Sequence, residues 1–179
     1  GVMTEVFYPT IDMPSVQRLQ FRVMTGTKIE NEVDDTEHRL EVPKTNSLTF
    51  RQVNRAKSGA YTISKTYVTD PRRSSVLIRV DFNTATNAQL HVSYDPLPND
   101  KSALISSCGL PKLEQRQCTL ALGFGETTAK AASTARASLA RGFEATQTEY
   151  EDEWRSYVSQ LPRVAKHQQQ FNLAAMILK

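Results

Sequence analysis

Tyr61-Thr62-Ile63-Ser64-Lys65-Thr66-Tyr67-Val68-Thr69 is followed by Asp70-Pro71-Arg72-Arg73 and then by the run 74–82, and this stretch decides the fold. In the first run Tyr61, Ile63, Lys65 and Tyr67 alternate with Thr62, Ser64, Thr66 and Val68, the period of a β-strand. Proline fixes the backbone of the turn, and Asp70 can bond back to it. In the second run Val76, Ile78, Val80 and Phe82 share one face. The sequence therefore predicts a hairpin with one buried face.

The same signals recur on both sides of this hairpin. Leu90, Val92 and Tyr94 line one side of 89–94, and Cys118, Leu120, Leu122 and Phe124 one face of 117–124. Earlier strands are expected at 2–8, 18–24, 36–42 and 47–54. Consecutive strands joined by short turns imply antiparallel pairing. About eight to ten strands are too many for one small flat sheet, so a sandwich of two sheets is expected, in residues 1–125.

The pattern then changes. From Thr127 to about Leu161 turn chemistry is scarce, and Leu139, Phe143, Tyr150, Trp154, Val158 and Leu161 recur at helical spacing. One long linker helix is expected across 126–162, with Gly142 weakening but not ending it and Pro162 ending it. A second helix is expected from about Arg163. Its last part, Phe171 to Lys179, is apolar nearly all the way round. Such a helix is normally buried on every side, so partner helices outside this sequence are expected to wrap it.

Composition narrows the function classes. A 179-residue chain with 39% hydrophobic and 23% charged residues can bury a core without metals or disulfides. The net charge of +3 is mild, and Lys and Arg are mixed with Asp and Glu, so no basic stripe points to nucleic acid. No apolar run approaches the length needed to cross a membrane. His38, His91 and His167 lie in different elements and give no metal-ligand spacing, and no cofactor motif is present. Cys108 and Cys118 could pair across a hairpin in an oxidising compartment. They also read as two small buried residues with no bond, which is the reading preferred from sequence.

Glu5, Asp12, Asp70 and Asp95 sit at strand ends or turns. Two carboxyl groups across a cleft could hydrolyse a glycoside, but turn carboxylates more commonly cap backbone amides, the reading adopted here. Tyr61, Tyr67 and Tyr94 could form a sugar-stacking platform, although core or cross-strand packing is the ordinary role of such residues. No catalytic residue is assigned.

The opening Gly1-Val2-Met3-Thr4-Glu5-Val6-Phe7-Tyr8-Pro9-Thr10-Ile11-Asp12, with Arg18-Leu19-Gln20-Phe21 after it, resembles the start of the amino-terminal domain of bacterial glucoamylases and glucodextranases (glycoside hydrolase family 15). Phe50-Arg51-Gln52-Val53-Asn54, the run Thr69 to Val80, Leu120 to Gly125, Trp154-Arg155-Ser156-Tyr157 and Asn172 to Lys179 are similar to later parts of the family, in order. Between Leu97 and Gln117 the chain is shorter than the family pattern.

The resemblance implies a mainly β fold: an antiparallel super-β-sandwich, a linker helix, and in 163–179 the first helix of an (α/α)6 barrel. It implies that the catalytic glutamates belong to that barrel, on the same polypeptide or a separate chain. The expected role is the non-catalytic sandwich and linker of an exo-acting, inverting α-glucan glucohydrolase, secreted or periplasmic, acting on starch, dextrin or dextran. The loop Tyr8-Pro9-Thr10-Ile11-Asp12 would reach the rim of the sugar pocket, with Tyr8 touching substrate. The alternatives are a stand-alone polysaccharide-binding module using Tyr61, Tyr67 or Tyr94, and a structural partner subunit with no hydrolase activity.

Overall fold

The computed structural model describes residues 2–98 and 101–179; Gly1, which opens the quoted motif, lies outside them. Among the described residues, ten strands precede three helices. One sheet holds β1 (Met3–Phe7), β2 (Pro14–Thr25), β3 (Lys28–Asn31) and β8 (Gln89–Pro96). The long β2 pairs along one edge with β1 and then β3, and along the other with β8. The second sheet runs β4 (Thr36–Glu41), β5 (Phe50–Ala56), β6 (Tyr61–Thr69), β7 (Ser75–Thr84), β10 (Gln117–Phe124), β9 (Ser102–Ser106). All its pairs are antiparallel.

The two sheets face each other over one core. Val16, Leu19, Phe21 and Val23 of β2 and Leu90 and Val92 of β8 meet Ile63, Ile78, Val80, Leu120 and Leu122. The alternation read from 61–69, 74–82, 89–94 and 117–124 is the alternation buried here. β3 and β9 carry too few alternating residues to be read from sequence.

A third layer covers part of the outer face of the six-stranded sheet. Val68, Leu77 and Ala121 point outward there and pack with Ala135 and Phe143. They lie beneath α1 (Thr128–Arg141) and α2 (Phe143–Ser159). Gly123 makes this contact possible. A Cβ at this position would lie 2.3 Å from the Ala131 carbonyl and 2.7 Å from the Ala135 amide, so α1 could not seat on β10.

The helical region departs from expectation in three ways. The one long linker helix is two, because Gly142 adopts φ +89° and ψ 152° and turns the chain. Its amide closes α1 on the Leu139 carbonyl at 3.0 Å. The last helix, α3, spans Gln168–Leu178 and starts later than Arg163. His167 sits in left-handed geometry, and the Val164 amide bonds the Gln168 side chain instead of continuing a helix. Within α3 only Asn172 and Met176 are buried, whereas Ile177 and Leu178 are 64% and 86% exposed.

The cysteines also correct the sequence reading. Leu120 opposes Ser106 in the β9–β10 pair, and the Ser107 amide bonds the Thr119 carbonyl. This register brings Cys108 and Cys118 to a Cα separation of 5.9 Å, and they form a disulfide.

One polar device crosses the sandwich. Lys65, aligned with Tyr61 and Ile63 on the inward face, is buried with Glu32 at 2.8 Å. The other Glu32 oxygen accepts the Phe21 amide of β2, and Asn54 donates 2.9 Å to the oxygen shared with Lys65. Burial lowers the Lys65 ammonium from the ordinary lysine range, and Glu32 opposes that shift. Removing one partner strands a buried charge. Lys65→Ala should therefore cost roughly 3–5 kcal/mol in urea unfolding, while the paired change Lys65→Met with Glu32→Gln should cost much less. Equal losses from both would contradict this reading.

Candidate functional site

Tyr8 ends the first strand region and opens the loop to β2. Its amide donates to the Met13 carbonyl at 2.8 Å, its carbonyl accepts from Ser15 Oγ at 3.1 Å, and the Tyr8–Pro9 peptide is cis. The Tyr8 ring stacks on Phe124 of β10, centroids 5.1 Å apart and planes 21° from parallel. It thereby lines a cleft of about 480 Å³ where β10 turns into α1. Arg73 and Ser74 from the β6–β7 turn, Glu126 and Thr127 before the helix, and Lys130 and Thr134 on its first turns complete the lining. Thr127 caps α1 by accepting the Lys130 amide at 3.2 Å.

An aromatic face with cationic, carboxylate and hydroxyl groups around it can hold a polyhydroxylated ligand by stacking and hydrogen bonds. Among the described residues Glu126 is the one carboxylate in the lining, whereas an inverting pair uses a second across the cleft.

The other sequence candidates go elsewhere. Asp12, in the same loop as Tyr8, is exposed and accepts Thr10 Oγ1 at 2.6 Å; that bond holds its carboxyl below the usual range. Glu5 and Asp95 are exposed on β1 and β8. Tyr61, Tyr67 and Tyr94 belong to the inter-sheet core and its margin, and offer no platform for a polysaccharide. Tyr67 donates to Gln52 Oε1 and Tyr94 to Ser102 Oγ.

Asp70 is the turn carboxylate that the structure uses most heavily. Its side chain is fully buried. One oxygen accepts the Arg72 amide at 2.9 Å; the other accepts Ser138 Oγ of α1 at 2.6 Å and Arg73 at 3.2 Å. Ser138 also meets Ser75 of β7 at 2.6 Å. Arg141, the last residue of α1, lies 3.7 Å from Asp70 and pairs with Glu149 of α2. Arg72 binds the same Glu149 at 2.8 Å. Asp70 thus ties the turn to α1, and Glu149 ties α2 to both through Arg72 and Arg141.

Further along α2 the contacts continue. Arg79 of β7 pairs with Glu144 and stacks 4.2 Å over Phe143. Tyr150 donates to the Leu48 carbonyl, and Thr49 to Glu151. Trp154 sits edge-on to both Tyr150 and Tyr157, and Tyr157 donates to the Ala175 carbonyl of α3.

Sequence reasoning identified Asp70 as a turn former. Its bond to Ser138 joins positions far apart in sequence, and no local pattern marks it.

Three comparisons place these features among known proteins. A family model described as glucodextranase, domain N, matches residues 1–103 and 99–159. A glucoamylase of Clostridium sp. (strain G0005) is 34% identical over 101 residues, which make up 54% of this chain and 14% of that protein. A crystal structure of bacterial glucoamylase complexed with acarbose matches with a TM-score of 0.81 at 22% identity. That match covers 90% of this chain and 34% of the solved one, and it shows the fold. The chain therefore spans a minor part of the relatives it matches.

Burial alone would raise the Asp70 carboxyl, but bonds from Ser138, the Arg72 amide and Arg73 outweigh it and hold it low. Its stabilising contribution is present above the unfolded value near 3.9 and is lost as pH falls through the folded value. Asp70→Asn should lower stability by roughly 1–3 kcal/mol at neutral pH. It should also flatten the loss of melting temperature in acid. An unchanged acid slope in thermal melts would refute the assignment.

Proposed function

The chain belongs to the glucodextranase domain N family, and from that premise we propose that it is the non-catalytic sandwich and connector of an exo-acting, inverting α-glucan hydrolase. In this reading 1–125 form the sandwich, 126–162 the connector and 163–179 the first helix of an (α/α)6 barrel. The barrel, on the same polypeptide or a separate chain, would be the catalytic partner, and an α-glucan such as starch, dextrin or dextran its substrate.

The observation that carries this reading is the connector dock. The sandwich holds α1 and α2 by Asp70, Arg141 and Glu149, and α2 ends on α3. α3 holds its inner side through Met176 and presents Ile177 and Leu178 outward. Exposed large apolar residues on a helix suit packing by further helices. The sandwich then acts as a brace that fixes where the barrel begins. Burial of each such side chain contributes roughly 1.5–3 kcal/mol to the docked state.

A second role is proposed for Tyr8. Its position in a cleft with Arg73, Lys130 and Glu126 suits contact with a glucan chain at the rim of the barrel's pocket. The cleft supports binding, not bond cleavage. The stand-alone polysaccharide-binding reading is not favoured, because Tyr61, Tyr67 and Tyr94 are engaged with the core. A secreted or periplasmic location is proposed as well, supported by the Cys108–Cys118 disulfide.

The purified chain should release no glucose from soluble starch or dextran, and Glu-dependent hydrolysis should require the barrel. In a full-length hydrolase carrying this segment, Tyr8→Ala should raise KM about three- to tenfold with little change in kcat, the size of one lost stacking contact. Unchanged kcat and KM would remove Tyr8 from the substrate path. Glucose release by the chain alone would overturn the non-catalytic assignment.

A further inference from the structure

Both sheets end on one side of the sandwich. β3 and β4 are edge strands of the two sheets and are joined by residues 32–35. Ile29 on β3, Val33 in the connection, Leu40 on β4 and Val42 just beyond it are all exposed, Leu40 to 65%. An open strand edge carrying apolar side chains is a template for another strand.

We propose that this edge pairs with the same edge of a second copy of the chain, β4 against β4, antiparallel about a two-fold axis at Leu40. The inference is independent of any barrel and rests on strand register. A two-fold perpendicular to the sheet keeps both core faces on one side, so residues of one parity must oppose each other.

The charges of Glu37, Arg39 and Glu41 then choose among registers. Centred on Arg39, the pairing sets Arg39 against Arg39 and Glu37 against Glu41. Centred on His38, it sets Glu37 against Arg39 twice, but it also sets Glu41 against Asp35 twice and leaves Leu40 facing Thr36. Centred on Leu40, it sets Arg39 against Glu41 twice, Leu40 against Leu40, and His38 against Val42. Like charges directly opposite destabilise a pair and opposite charges support it, so the Leu40 register is the one selected. Arg39 and Glu41 already lie 3.3 Å apart along their own strand. Pairing closes a ring of four alternating charges over an apolar contact. β10, which carries the Tyr8 cleft, lies toward the opposite end of the six-stranded sheet and stays free.

The interface is small, so weak association is expected. Sedimentation velocity of the 179-residue chain from about 1 to about 200 µM tests it. The wild type should show a concentration-dependent monomer–dimer equilibrium. Arg39→Glu and, separately, Leu40→Lys should each weaken it by about tenfold or more, and Arg39→Glu with Glu41→Arg should restore it to within about twofold. Ile177→Lys with Leu178→Lys serves as the control for association through α3 and should dimerise as the wild type does. The far-ultraviolet spectrum of each variant verifies its fold, which these exposed positions leave unaltered.

The proposal is overturned if the wild type is a monomer throughout. It is equally overturned if Arg39→Glu and Leu40→Lys leave the dimer intact, if the charge swap fails to restore it, or if the α3 control abolishes it.

Discussion

A carboxylate removed from water must have its lone pairs filled, and Asp70 is the point where this chain meets that demand. It fills them with a turn amide, a hydroxyl from α1 and a guanidinium from its own turn, with Arg141 close by. The consequence is geometric. The β6–β7 turn and the end of α1 cannot move independently without stranding a buried charge, and Glu149 links α2 to both through Arg72 and Arg141. Gly123 lets α1 lie directly on β10, and Gly142 sets the angle at which α2 leaves. α3 in turn is held on α2 by the Tyr157 bond to the Ala175 carbonyl.

The sandwich beneath this dock has its own polar fastening. Glu32 sits between the sheets and binds an amide of β2, the amide side chain of Asn54 and the ammonium of Lys65. Breaking either device is costlier than its net contribution to stability suggests, since the penalty comes from the orphaned partner. The sandwich and the helices are thus each fastened by buried polar contacts.

Much of the β architecture was legible in the sequence because burial on one face of a strand leaves a period of two. β6, β7, β8 and β10 carry that period over enough residues to be read. β3 and β9 do not. The split of the linker helix leaves no mark in the apolar pattern, because Leu139 and Phe143 keep their spacing of four across Gly142 and the stripe looks continuous even though the backbone turns. The disulfide depends on the β9–β10 register, which residue spacing alone does not define. Tyr8 was legible as an aromatic at a strand end. Its neighbours Arg73, Glu126 and Lys130 come from two other segments and only the fold gathers them. Likewise Asp70 announced a turn, while its hold on Ser138 is a tertiary fact.

These ties make connector and sandwich one cooperative body. Trp154 is the chain's single tryptophan and lies on α2 beyond the Asp70 tie, so its fluorescence reports the connector. Far-ultraviolet circular dichroism in the β-sheet band reports the strands. Urea unfolding followed by both signals should give one transition with superimposed midpoints. A Trp154 transition completed at lower urea, with the strand signal still intact, would show the connector to be loosely attached and would contradict the account.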